Sequence, residues 1–269
     1  MVNLPAKIGV FDSGIGGLSV LREIHRLLPQ HPTVYVADQY HLPYGPRPTH
    51  EIRAYSEAIT NFLIEQGCVV IVIACNTASA ASLEYLRQRF PTVPFVGMEP
   101  ALKPALAESR SGVVGVLSTR ATAEGDLYKR LLQRYAEGRQ VITQVAPELV
   151  RIAEEQSQHT RASRAIIADC LQPMLAAHAD AIVLACTHFP FIADALQEVA
   201  GQGIKLIDPA PAVARQTARL WPTEAQITIS SNMYFTSGNP ENLQDTLARL
   251  VEIHHHVHRI MWNSAAIEL

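Results

Sequence analysis

The stretches VVIVIACNTAS (69–79) and AIVLACTHFPF (181–191) decide how this chain folds. Each is a run of β-branched and aliphatic residues without polar alternation, which predicts a strand buried on both faces within a parallel sheet. Each run ends in Ala-Cys, then small hydroxyl residues, then a helical pattern, so Cys75 and Cys186 stand at equivalent strand-to-helix corners. Ligands of open α/β sheets bind at the carboxyl ends of strands, and a helix N-terminus favours the thiolate form of a nearby cysteine. Two thiols so placed predict a pair of acid–base groups flanking one substrate.

Before the first stretch, KIGVF (7–11) reads as a strand and GLSVLREIHRLL (17–28) as an amphipathic helix. Between them, DSGIGG puts Asp12 and Ser13 at a strand end, with Gly14, Gly16 and Gly17 where backbone amides approach a ligand. A strand TVYVA (33–37) is followed by DQYHLPYGPRP, a proline-stiffened loop in which Tyr44 and Gly45 offer a hydroxyl and a close amide. A plain βα turn and a braced surface loop account for the same residues at this stage. Helices over 49–66 and 77–89, a strand over 93–96 and a helix opened by Glu99-Pro100 complete the half.

The pattern then restarts. GVVGVLSTRATAEG (112–125) resembles KIGVFDSGIGG, and a shift of about 110 residues relates Gly9 to Gly115, Cys75 to Cys186 and Pro100 to Pro209. The spacing predicts an internal duplication: two pseudo-symmetric α/β domains, each with a largely parallel central sheet flanked by helices, and a site in the cleft between them. The expected first domain is 1–98 plus 209–269, carrying Asp12 and Cys75; the second is 99–208, carrying Cys186 and His188. Within the second, helices are predicted over 122–136, 147–157 and 160–178 around a strand at 140–145; the tail carries a strand QITISSNMYFT (226–236) and a helix from 239. HHHVH (254–258) reads as a polar helix end. His254 and His258 share a face there, but no acidic or cysteine partner accompanies them, so no metal site is expected.

Composition narrows the function. With 22 basic and 25 acidic residues the net charge is −3, and no Lys/Arg stripe provides a field for nucleic acid. The start MVNLPAKIGVF enters a strand pattern without a signal-peptide profile, and no apolar run reaches the length of a membrane span, so a cytoplasmic protein is expected. The four cysteines show no metal-ligand spacing; Cys68 and Cys170 lie inside their elements and read as core.

The corners Asp12-Ser13-Gly14, Tyr44-Gly45, Cys75-Asn76-Thr77, Ser118-Thr119 with Thr122, and Cys186-Thr187-His188 hold hydroxyls, an amide and helix N-termini, a donor set suited to a small acid with two carboxylates. A thiolate and a thiol on opposite faces of a tetrahedral carbon remove a proton from one side and return one on the other, which inverts the centre. If the Cα proton is about ten pK units less acidic than the thiol, the site must offset about 14 kcal/mol. One oxyanion donor supplies about 3–4 kcal/mol, so several must act with desolvation and positioning. Asp12 is placed to orient Cys75, and His188 to assist Cys186.

FDSGIGGLSVL, LPYG, IACNTASA, VGMEPA and LACTHFP, in this order, resemble the glutamate racemases, and the likeness runs over about 1–220. The resemblance implies two α/β domains, commonly a homodimer, the first domain completed by the C-terminal segment, and interconversion of L- and D-glutamate without cofactor or metal, supplying D-glutamate for peptidoglycan. It implies that Cys75 acts on D-glutamate and Cys186 on L-glutamate, with Asp12 assisting the first thiol and His188 and Glu154 the second. It places substrate contacts on Asp12, Ser13, Tyr44, Gly45, Asn76, Thr77, Thr119, Thr122, Thr187 and His188. The chain departs from the family pattern at Ala146, where Cys is frequent, at Arg151, where Pro is usual, and at Gly125, where a TxxS corner has Ser. Rival readings are an aspartate racemase or related thiol enzyme, a two-lobed acid-binding protein, and a pyridoxal-phosphate racemase built on Lys7, Lys103, Lys129 or Lys205.

Overall fold

A computed structural model of the chain describes residues 5–225, 231–263 and 266–269. The chain divides into two compact units, Met1–Met98 with Ala210–Leu269, and Glu99–Pro209. The first opens with β1 (Lys7–Asp12), α1 (Leu18–Leu27), β2 (Thr33–Ala37), α2 (Thr49–Glu65), β3 (Cys68–Ile73), α3 (Asn76–Arg89) and β4 (Phe95–Gly97). Every residue of β1 is buried, as a strand covered by helices on both faces requires. β1 lies between β2 and β3, with Phe11 in register with Val36 and with Ile73. Their carboxyl ends therefore come level, bringing Asp12, Asp38 and Cys75 to one edge.

The second unit runs α4 (Leu102–Glu108), β5 (Val113–Ser118), α5 (Arg120–Glu124), α6 (Asp126–Tyr135), β6 (Gln140–Val145), α7 (Pro147–Glu155), α8 (Arg161–Ala176), β7 (Ala181–Ala185), α9 (Ala193–Ala200) and β8 (Lys205–Ile207). Its sheet has the order β6-β5-β7-β8, all parallel. That order repeats β2-β1-β3-β4 of the first sheet. Each unit thus has its switch point between its first and third strands, where parallel sheets bind ligands.

The paired glycines serve the same packing. A Cβ on Gly9 would come within 3.1 Å of Leu63 Cδ1 on α2, and one on Gly115 within 2.9 Å of Met174 Cγ on α8. In both units a glycine in the middle of the central strand lets a helix close on the sheet. Leu117, Ile182 and Leu184 then share a core with Leu149, Ile152, Leu171 and Met174, while Val114, Val116 and Val183 face Leu102, Leu106 and Tyr128.

The tail returns to the first sheet through α10 (Ala210–Leu220), β9 (Met233–Thr236), α11 (Pro240–Val251) and β10 (Val257–Arg259), followed by the antiparallel pair β11 (Met261–Asn263) and β12 (Ala266–Glu268). β9 pairs with β2 and β10 with β9, both parallel, giving a six-stranded sheet of order β10-β9-β2-β1-β3-β4. Of the strand expected over 226–236, residues 226–230 lie outside the described residues.

Three local expectations are corrected. The helix expected over 122–136 breaks at Gly125, whose φ of −69° and ψ of 145° end α5 and start α6; glycine is a poor helix interior residue. HHHVH does not lie on a helix: α11 stops at Val251, Glu252 takes a left-handed φ of 57°, and His258 belongs to edge strand β10. Pairing with β9 overrides the local helical spacing. Among the described residues no group of three or more His, Cys, Asp or Glu side chains is arranged to hold a metal. Finally, Cys186 leads into a 3-10 turn at Phe189–Ile192 before α9 begins, whereas Cys75 caps an α-helix directly.

Candidate active site

Cys75 is the N-cap of α3, and its Sγ accepts the backbone N–H of Ala78 at 3.4 Å. Ser13 Oγ lies 3.7 Å from the same sulfur and donates to Asp12 Oδ1 at 3.2 Å. Because the serine's single proton goes to the carboxylate, its oxygen is the acceptor toward the thiol. This orders a path from Cys75 through Ser13 to Asp12. Asp12 is fully buried and also accepts the N–H of Gly14 at 2.6 Å. The turn fits because Gly17 has no side chain: a Cβ there would meet Asp12 Cβ at 2.7 Å.

Asn76 and Thr77 follow the thiol on the first turn of α3, both buried. Neither Oδ1 nor Nδ2 of Asn76 has a hydrogen-bond partner among the described residues. A buried polar group left unpaired costs about 1–3 kcal/mol, so the amide beside Cys75 carries hydrogen-bonding capacity that the described residues do not satisfy. Tyr44 lies on the expected loop, but its hydroxyl is buried and donates to Asp38 Oδ2 at 2.7 Å. Burial, then the Asp38 carboxylate, holds the Tyr44 pKa well above its ordinary value of 10.0. Gly45 follows it on the same loop.

In the second unit Cys186 Sγ lies 3.8 Å from His188 Nδ1, and His188 Nε2 lies 2.7 Å from Glu154 Oε1. An ionised carboxylate only accepts, so Nε2 carries the proton given to Glu154, and in the neutral ring Nδ1 accepts from the thiol. His188 is buried, and Glu154, on α7, keeps 24% of its side chain exposed. Thr119 caps α5: its Oγ1 accepts the N–H of Thr122 at 3.3 Å and donates to Thr122 Oγ1 at 3.0 Å. Thr187, next to Cys186, is buried.

The three departures lie apart from these contacts: Ala146 is buried at the N-cap of α7, Arg151 pairs with Glu155 at 2.8 Å on an exposed surface, and Gly125 joins α5 to α6. The remaining cysteines are core. Burial raises the pKa of Cys68, and burial followed by the Glu148 and Asp169 charges raises Cys170 to about 11. The pyridoxal lysines are engaged elsewhere: Lys7 Nζ donates to the Gln66 carbonyl at 2.8 Å, Lys129 pairs with Asp126, Lys205 pairs with Glu108, and Lys103 lies over the Tyr135 ring.

Sequence reading missed Asp38, Ser237 and Trp262, which together hold the Tyr44 loop. The available signal was Asp38 itself, an acid directly after the apolar run TVYVA, as Asp12 directly follows KIGVF.

Two parallel sheets of one strand order thus each end in a thiol linked to a carboxylate through one intervening side chain. Residues 8–217 match the model of the family described as Asp/Glu/hydantoin racemase. A glutamate racemase from a Roseiflexus species is 46% identical over 248 residues, covering 90% of this chain and 91% of the relative. One from Ectopseudomonas mendocina is 43% identical over 256 residues, covering 94% and 97%. Among solved structures, Escherichia coli glutamate racemase in complex with L-glutamate and the activator UDP-MurNAc-Ala superposes with a TM-score of 0.86 at 34% identity, covering 99% of this chain and all of that one. The chain belongs to the Asp/Glu/hydantoin racemase family, in its glutamate racemase branch. It is a racemase, of the isomerase class.

Proposed function

We propose that this enzyme interconverts L- and D-glutamate by two-base proton transfer at Cα, with Cys75 and Cys186 serving one substrate from opposite faces. The observation that carries the reading is the matched pair of relays, Cys75–Ser13–Asp12 and Cys186–His188–Glu154, in two units of the same sheet order. The relatives' substrate supports glutamate as the acid.

For L-glutamate, Cys186 loses its proton to His188, whose imidazolium Glu154 stabilises. The thiolate then takes the Cα proton, and the Cys75 thiol gives its proton to the opposite face. D-glutamate leaves with Cys186 protonated and Cys75 as thiolate, and proton return through Ser13 and His188 restores the start. In the reverse direction Cys75 is the base, with Asp12 drawing its proton through Ser13. Both proton positions are thus supplied by the chain, and the reading calls for neither cofactor nor metal. Asn76, Thr77, Thr119, Thr122 and Thr187, with the Gly45 amide, hold the two carboxylates and the ammonium group. The reading extends to a cytoplasmic homodimer that supplies D-glutamate for peptidoglycan. No helix among the described residues is long and apolar enough to cross a membrane.

Incubation of the purified protein with each enantiomer in D₂O, without added cofactor, tests this. Inversion followed by circular dichroism from both sides, with deuterium entering the product Cα by NMR, is the expected result. Absence of inversion and exchange with glutamate, alongside turnover of aspartate in the same panel, would move the substrate assignment.

A further inference from the structure

We propose that Asp38 is a positioning residue for the first half of the site: its backbone N–H ties it to the end of β1 while its carboxylate fixes the Tyr44–Gly45 loop to Ser237 and to Trp262 of β11, so that Trp262 helps set where the loop meets the substrate. This rests on the glutamate reading above.

Asp38 directly follows β2 and is fully buried. Its backbone N–H donates to the Asp12 carbonyl at 2.9 Å, which ties it to the strand end that carries the Cys75 relay. Its Oδ2 accepts from the Tyr44 hydroxyl at 2.7 Å and from His41 Nδ1 at 2.8 Å. Its Oδ1 accepts from Ser237 Oγ at 2.8 Å, just beyond β9, and from Trp262 Nε1 at 2.8 Å, on β11. The donors come from three separate stretches of chain. A buried carboxylate is tolerated only when hydrogen bonds replace its lost hydration, and bonds to a charge are the stronger kind. The carboxylate therefore holds all three stretches in one arrangement.

The rings repeat the connection. His41 stacks on Tyr55 with centroids 3.8 Å apart and meets the Trp262 ring edge-on at 4.7 Å. Tyr44 has one hydroxyl proton, and Asp38 takes it, so the hydroxyl cannot also donate to a substrate carboxylate. Its part is to anchor the loop, and the backbone N–H of Gly45 is what the loop then presents. Losing a donor to Asp38 loosens that presentation without touching either thiol relay, so substrate affinity changes and proton transfer does not.

The test uses the full chain with Trp262→Phe, which removes the N–H and keeps an aromatic ring, and with Ser237→Ala and Asp38→Asn. Steady-state kinetics on both enantiomers are read beside amide hydrogen exchange over 39–47. Trp262→Phe should raise KM about tenfold, the size expected for one bond to a charged group, with kcat within about twofold and faster exchange in that segment. Ser237→Ala should act in the same direction, and it keeps the test decisive if Asp38→Asn fails to fold. Unchanged KM and exchange in Trp262→Phe and Ser237→Ala overturn the proposal. So does a loss of active enzyme at unchanged KM, because a merely structural residue behaves that way. If the parent fails to turn over glutamate, the substrate reading fails separately. The exchange measurement then decides for or against Asp38 as the loop's anchor.

Discussion

At the residue scale, the two thiols differ in what stands behind them: Ser13 and buried Asp12 for Cys75, His188 and part-exposed Glu154 for Cys186. If each serves one face, Cys186→Ala should lose inversion by at least about 10³-fold yet still exchange the Cα proton of D-glutamate in D₂O, while Cys75→Ala exchanges only L-glutamate. Exchange of both enantiomers by either variant would refute a two-base assignment. Glu154→Gln keeps a hydrogen-bond acceptor for His188 but removes the charge that stabilises its imidazolium. We expect kcat/KM to fall about 10–100-fold in both directions equally, since the enantiomers are equally stable and their ratio is held at one. The Cα-deuterium isotope effect should rise with L-glutamate as substrate, because Cys186 is then the base. An unaltered isotope effect would place Glu154 outside the relay.

At the scale of elements, the contact between central strand and covering helix is the sensitive one. Gly115→Ala would bring a methyl group within 2.9 Å of Met174 Cγ and 3.1 Å of Ile182 Cγ1, so α8 must shift away from β5. Overpacking of this kind costs about 1–3 kcal/mol, readable as a lowered urea midpoint at unchanged m-value. Met174→Ala should recover part of that loss in the double variant, whereas alone it leaves a cavity. The elements were legible from hydrophobic periodicity wherever the chain is buried on both sides, as in β1, β3 and β7. They were misread where a neighbour decides: β10 is a strand because β9 offers its edge, although His254 and His258 are spaced as on one face of a helix.

At the scale of the whole molecule, acid should act on the two units in different ranges. Burial, then the nearby His255, pushes His25 of α1 down to about 4, while its Nε2 lies 2.9 Å from Thr33 Oγ1. The unfolded chain binds that proton at an ordinary pKa of 6.5, so the stability His25 contributes is complete above 6.5 and is lost as pH falls toward 4. In the second unit, burial disfavours ionised Asp180, but donors from Ser109, Ser111 and Arg110 outweigh it and bring its pKa to about 2. Its contribution is present above the unfolded value of 3.8 and lost only as pH falls toward 2. Hydrogen exchange followed from pH 7 to 3 should therefore show protection around α1 and β2 weakening first, and His25→Asn should flatten that dependence. Loss of protection around Asp180 first would contradict this order. Sequence alone determined the parallel α/β class, the repeat, and the strand ends carrying Cys75 and Cys186, because buried strands and glycine turns are written in local composition. Tertiary structure alone decided that Ser13 bridges Cys75 to Asp12, that His188 Nε2 meets Glu154, and that Trp262 reaches Asp38. Those contacts join residues up to 224 positions apart, and only the folded chain's packing sets their distances.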